Sequence, residues 1–152
     1  MSNLHKSSAH VQMQAEKVLF DKVEDLLNVN LEKNKKIFLA DNAFTYIQPD
    51  FYSEKAQVIG EIFAHIGKPK KAQDNKIAND ILKMLLLEKK TNKQYRKIIV
   101  VCDEEEQKKL KGLSALAESI RQFDVEIMYI ELDDNTRKQI IEAQKLQRMT
   151  NA

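Results

Sequence analysis

Residues 57–66 read QVIGEIFAHI, and the placement of this stretch decides the fold. In an extended chain Val58, Gly60, Ile62, Ala64 and Ile66 face one side, and Ile59, Glu61, Phe63 and His65 face the other. Glu61 is thereby a carboxylate set among apolar neighbours on the Phe63 side. Gly67 and Pro69 break the strand.

Upstream, residues 44–48 (FTYIQ) and 36–40 (KIFLA) have strand character, and Asp41-Asn42-Ala43 between them supplies turn chemistry. So short a connection predicts an antiparallel hairpin. Pro49 has no N–H for a sheet ladder and ends the second of these strands, so Asp50 follows at its edge. Residues 51–55 are expected to form a loop. Before the hairpin, a helix is expected over about 14–31, with Val18, Leu19, Val23, Leu26 and Leu27 on one stripe.

Downstream, residues 71–90 carry Ile77, Ile81 and Leu85 on one helical face, with Ala78, Leu82 and Leu86 beside them. Residues 97–101 (KIIVV) form a nearly continuous apolar run, the pattern of a strand covered on both faces. Asp103 then caps a helix that runs to about Gln122, its acidic start favoured by the helix dipole. A strand over 125–132 and a helix over about 135–149 complete the order α-β-β-β-α-β-α-β-α. One α/β domain over residues 13–152 is the economical reading, its mixed sheet flanked by helices, with residues 1–12 as a flexible arm.

The chain has 152 residues, 43% of them hydrophobic and 32% charged, which describes a globular rather than a disordered protein. Its 25 basic and 23 acidic residues leave a formal charge of +2, which neither demands nor excludes nucleic acid. Cys102 is the single cysteine, so an intramolecular disulfide is excluded and a reducing compartment is expected. The start lacks the apolar core of a signal peptide, and the apolar run 84–87 is too short to cross a membrane. A cytoplasmic protein is expected.

Several chemistries lack their residues. The three glycines are too far apart for a phosphate loop, and no pair of close cysteines or HExxH occurs. The acids after Cys102 should raise its pKa and blunt it as a nucleophile. What remains is Pro49-Asp50 followed by Glu61-Ile62-Phe63. Two carboxylates on neighbouring antiparallel strands can hold Mg²⁺ through hard oxygen ligands. A metal held so activates water and neutralises phosphoryl oxygens.

On these residues and this element order, residues 14 to about 130 resemble the PD-(D/E)XK, or restriction-endonuclease-like, nuclease superfamily. The resemblance implies a Mg²⁺- or Mn²⁺-dependent phosphodiester hydrolase acting on DNA. It makes Asp50 and Glu61 metal ligands, with Glu24 or Glu16 of the first helix as a further acid. The chain departs from the pattern at Phe63, where the family carries lysine. Lys76 on the following helix, or Lys68 beyond the strand, can supply the missing cation, and Gln73 resembles a polar site residue of some members. Otherwise the site has decayed, and the domain is a non-catalytic nucleic-acid- or protein-binding module.

Two basic clusters can serve a nucleic-acid backbone. Lys68, Lys70 and Lys71 lie beside the carboxylates. Lys89, Lys90, Lys93, Arg96 and Lys97 form the other. Tyr52 and Tyr95 are candidates for stacking on bases. The apolar residues of the last helix, Ile140, Ile141, Ala143 and Leu146, can dock within the chain or on a second copy, as in a homo-oligomer.

Overall fold

A computed structural model describes residues 2–151, with side chains for residues 8–149. Its elements are α1 (Ser2–Leu27), β1 (Glu32–Lys33), β2 (Ile37–Phe38), β3 (Tyr46–Ile47), β4 (Phe51–Ser53), β5 (Val58–Phe63), α2 (Lys71–Thr91), β6 (Arg96–Val101), α3 (Glu104–Leu110), α4 (Ala115–Gln122), β7 (Val125–Tyr129) and α5 (Asp134–Asn151). Five strands form one mixed sheet in the order β1-β4-β5-β6-β7. β1 with β4 and β4 with β5 are antiparallel, while β5, β6 and β7 run parallel. β2 and β3 pair only with each other among the described residues.

The alternation in β5 divides the core. Val58 and Ile62 join Ile98 and Val100 under α1 and α5, where Leu19, Val23 and Ile140 are buried. Ile59 and Phe63 join Ile99 and Val101 on the opposite face, covered by Ile77, Ile81 and Met84 of α2 and by Leu110 and Ile120 of α3 and α4. Glu61 lies between Ile59 and Phe63 in the strand, so it faces α2.

The sequence expectations need four corrections. The helical backbone begins at Ser2, so the stretch 1–12 expected as an arm is continuous with α1 over its described residues. Within that stretch Ser8 is buried and donates from Oγ to the Ala143 carbonyl at 3.2 Å, tying α1 to α5. Residues 36–40 and 44–48 do form a hairpin, with Ile37 opposite Ile47 and Phe38 opposite Tyr46, but it stays outside the main sheet. Asn42 shapes its turn by accepting the Phe44 and Thr45 N–H groups on Oδ1, at 2.7 and 2.8 Å. The main sheet instead uses β1 and β4, the latter inside the stretch expected as a loop. The helix expected over 103–122 is two helices, because Ser114 caps a new one, its Oγ accepting the Ala117 N–H at 3.0 Å.

The apolar residues of the last helix dock at home. Ile140 and Ala143 are buried, and Ile141 packs against the same core. No helix among the described residues is long and apolar enough to cross a membrane.

Gly60 fixes the β4–β5 pairing. It sits opposite Phe51, whose fully buried ring lies where a Cβ on Gly60 would have to go. Any larger residue at position 60 would displace that ring and loosen the register that sets the next pair along, Asp50 and Glu61.

Candidate functional site

The β4–β5 register pairs Phe51 with Gly60, and one further step places Asp50 opposite Glu61. Directly opposed residues project to the same face, with Cβ atoms about 5 Å apart. Asp50 thus precedes β4 rather than following the strand before it, and Pro49, buried at that point, supplies no competing N–H. The Asp50 carboxylate is held at the β5 edge because its Oδ2 accepts the Ile62 N–H at 2.7 Å. Its carbonyl accepts the Asn34 N–H at 3.3 Å.

Glu61 is pushed up to about 10. Burial is the largest cause, followed by the negative charge of Asp50, a hydrogen bond shared with that carboxyl group, and the charge of Asp80. Two carboxyl groups this close retain one proton between them when no cation is present.

Asp80 is the site residue that sequence reasoning missed. It lies on α2 and is only 6% exposed, and its Oδ2 has no hydrogen-bond partner. Burial raises its pKa, Lys76 and Lys83 oppose the rise, and Asp50 adds to it. Its position in the chain carried a signal. The buried stripe of α2 is Ile77, Asp80, Ile81, Met84 and Leu87, so Asp80 interrupts an i, i+3, i+4, i+7 pattern. By contrast Leu82 and Leu86, expected beside the buried face, are exposed.

Lys76 stands one helical turn before Asp80. Its Nζ is 5.2 Å from the centre of the Phe63 ring, the side chain that replaces the lysine expected two residues after Glu61. An ammonium therefore reaches the Glu61–Phe63 face from the helix rather than from the strand.

The remaining candidates are placed elsewhere. Lys68 is exposed in the connection after β5, and its side chain makes no ion pair among the described residues. Gln73 is engaged at the start of α2, its Oε1 accepting the Lys70 N–H at 3.2 Å. It lines a cavity of about 430 Å³ with His65, Lys70, Gln144 and Arg148, and Asp50 and Glu61 are not in its wall. Burial and the Lys70 and Arg148 charges lower the His65 pKa there, against Asp103. Glu24 is committed to the Leu31 N–H, which its Oε2 accepts at 2.9 Å, and Glu16 to Gln12 at 3.4 Å. Among the described residues, no group of three His, Cys, Asp or Glu side chains gathers in metal-binding geometry. The candidate ligand set is thus the Asp50–Glu61 pair.

The basic clusters also divide. Lys70, Lys71 and Lys93 are exposed. Arg96 is held by both carboxylate oxygens of Glu126. Lys97 is buried against Glu88, with both oxygens at 3.0 Å. Tyr52 and Tyr95 are buried and stacked on each other, with centroids 6.1 Å apart, so neither ring is open to a base. Cys102 is buried and its thiol is pushed up to about 12 by burial and by Asp103, which unsuits it as a nucleophile.

Comparison with protein-family models, curated proteins and solved structures gave no match.

Proposed function

We propose that the chain is a nuclease-like, metal-dependent phosphodiester hydrolase whose cation is held by Asp50 and Glu61. The single observation that carries this reading is the pair itself. Two carboxyl groups occupy opposed positions, Asp50 just before β4 and Glu61 on β5, on one face, where burial and the charge of Asp50 hold a proton on Glu61. A small hard cation with most of its water retained suits one or two carboxylates of this kind, so Mg²⁺ or Mn²⁺ fits. When bound, it would supply an acidic water and offset charge on phosphoryl oxygens.

The chain's own residues have distinct parts in this reading. The Ile62 N–H orients Asp50, leaving its second oxygen for the cation. Glu61 would give up its proton to hold the cation alongside Asp50. Lys76 takes the part of the lysine absent at Phe63, holding an attacking water or balancing developing negative charge from α2. Asp80 sets the position of Lys76 by attraction across one helical turn. The order α1, β1, β4, β5, α2, β6 supports a restriction-endonuclease-like core, with the β2–β3 hairpin inserted after its first strand.

The test is DNA cleavage in Mg²⁺ or Mn²⁺. Asp50→Ala and Glu61→Ala should abolish it, and Lys76→Ala should lower kcat by about 10²-fold or more while metal affinity stays within a few-fold. Cleavage that survives both carboxylate substitutions removes the pair from the mechanism. Phe63 favours a second reading, a binding module with a decayed site. That reading expects salt-sensitive nucleic-acid or protein binding, no metal-dependent cleavage, and no effect of Lys76→Ala.

A further inference from the structure

The β2–β3 hairpin lies on the core with one face and shows aromatic rings to solvent with the other. Ile47 is buried and Ile37 packs against the α2-side core. The opposite pair, Phe38 and Tyr46, points outward, 53% and 42% exposed, with ring centroids 5.6 Å apart. Phe44, in the connection between the strands, is 88% exposed. Outward positions of a one-sided antiparallel pair are ordinarily polar, so two aromatic rings there, with a third on the connection, call for a partner.

The surroundings of the rings identify its chemistry. Phe38 borders a cavity of about 770 Å³ whose wall includes Lys35, Lys36, Lys90 and Lys93. Asp41 and Glu54 also line it, so cations outnumber acids. The Lys36 ammonium lies 5.1 Å from the centre of the Tyr46 ring, joining the aromatic face to the basic one. A protein partner would have to strip water from these lysines, a residue type depleted at protein interfaces. A polyanion with exposed π-faces meets both features at once.

We propose that the hairpin and the lysine-lined cavity beside it form a platform for single-stranded nucleic acid. Unpaired bases stack on Phe38, Tyr46 and Phe44, and phosphates are neutralised by Lys36, Lys90 and Lys93. A duplex keeps its base faces stacked inside and offers the rings nothing, so the platform selects single strands. Tyr52 in the cavity wall is two residues along β4 from Asp50, about 7 Å of strand, so a bound strand lies close to the carboxylate pair. As a statement of substrate class this rests on the hydrolase reading, but binding itself requires no cleavage.

The experiment is fluorescence anisotropy on the full chain in chelator, with labelled oligo(dT) and oligo(U) of about 15 nucleotides and a duplex of the same length. Binding of either single strand about tenfold or more tighter than the duplex is expected. Phe38→Ala with Tyr46→Ala should weaken that binding at least tenfold and leave the weak duplex binding nearly unchanged. Phe44→Ala, at a more exposed position, provides an independent ring removal, and circular dichroism verifies that each variant is folded. Lys90→Ala with Lys93→Ala should flatten the slope of log K against log salt by about 1.4, at about 0.7 per phosphate contact. Binding is read in chelator, where no metal-dependent cleavage can occur, so failure of the platform is distinguished from failure of the hydrolytic reading, which the cleavage assay tests separately. Equal affinity for single strand and duplex, unchanged by ring removal, overturns the proposal, as does absence of binding at low salt.

Discussion

Glu61→Gln offers a direct measurement of the charge problem at the sheet edge. The Glu61 carboxyl is raised to about 10 in the folded chain, first by burial and then by Asp50, against an ordinary value of 4.5. An acid raised on folding favours the folded state while protonated in both states. That stability is present below about pH 4.5 and is lost as pH rises toward the folded value, because the folded state then holds a proton that the unfolded state has released. The limiting slope is about 1.4 kcal/mol per pH unit, or about 2.7 kcal/mol between pH 6 and pH 8. Sharing of the proton with Asp50 and partial solvent access reduce this to about 1–2 kcal/mol. Glutamine has the shape of the protonated acid and does not titrate, so Glu61→Gln should lose this dependence and be the more stable protein at pH 8. Urea unfolding in chelator at the two pH values, for wild type and variant, gives the difference directly. If the wild type loses no more stability than Glu61→Gln over this range, Glu61 is ionised throughout and the opposed-carboxylate reasoning is wrong.

Two further substitutions probe the frame that holds the pair. Gly60→Ala should destabilise by about 3 kcal/mol through collision with the Phe51 ring, and Gly60→Ala with Phe51→Leu should recover part of that loss in urea unfolding. Glu88→Ala strands the buried Lys97 ammonium and frees the Tyr95 N–H that Glu88 accepts at 2.9 Å, so a loss of about 3–5 kcal/mol is expected. Glu88→Leu with Lys97→Met should restore most of it, and a single-variant cost under about 1 kcal/mol would mean that Lys97 reaches water along its stem.

Elements with a strong period were legible in the sequence. β5, α2, β6 and β7 appear close to where alternation, helical spacing or a continuous apolar run placed them. The hairpin was legible too, since its strands alternate and Asn42 carries turn chemistry. Its membership in a separate sheet was not, because that depends on contacts with Tyr52 and α2 rather than on local pattern. β4 was hidden for the same reason. Phe51, Tyr52 and Ser53 are all buried, so no alternation marks them, and their strand state comes from pairing with β5. Asp50 and Glu61 could be picked out as a pair, but their opposition rests on the Phe51–Gly60 register. Tyr52 and Tyr95 show the converse error. Each lies near lysines in the sequence, yet each is turned inward onto the other, while Phe38, Phe44 and Tyr46 of the hairpin are exposed.

Two positions on α2 treat their charge differently, and the contrast bears on what the carboxylates are for. Near its C-terminal end the partly buried Glu88 receives two contacts from Lys97 and one from the Tyr95 backbone, so its charge is compensated within the fold. Two turns earlier Asp80 is more deeply buried than Glu88, yet one of its oxygens has no partner, and Glu61 faces Asp50 rather than a cation. Their neighbours in sequence and on the buried stripe are Ile59, Phe63, Ile77, Ile81 and Met84, so apolar residues at positions 61 and 80 would suit the packing without the desolvation cost. The uncompensated acids oppose stability, and buried Glu106 of α3 likewise has no hydrogen-bond partner for either oxygen; what sets the sheet-edge acids apart is that Glu61 faces Asp50 with the charge of Asp80 close by. On the proposed reading, the negative charge contributed by β5, α2 and the residue before β4, with the Lys76 ammonium at its edge, is what a divalent cation and a phosphodiester would neutralise together.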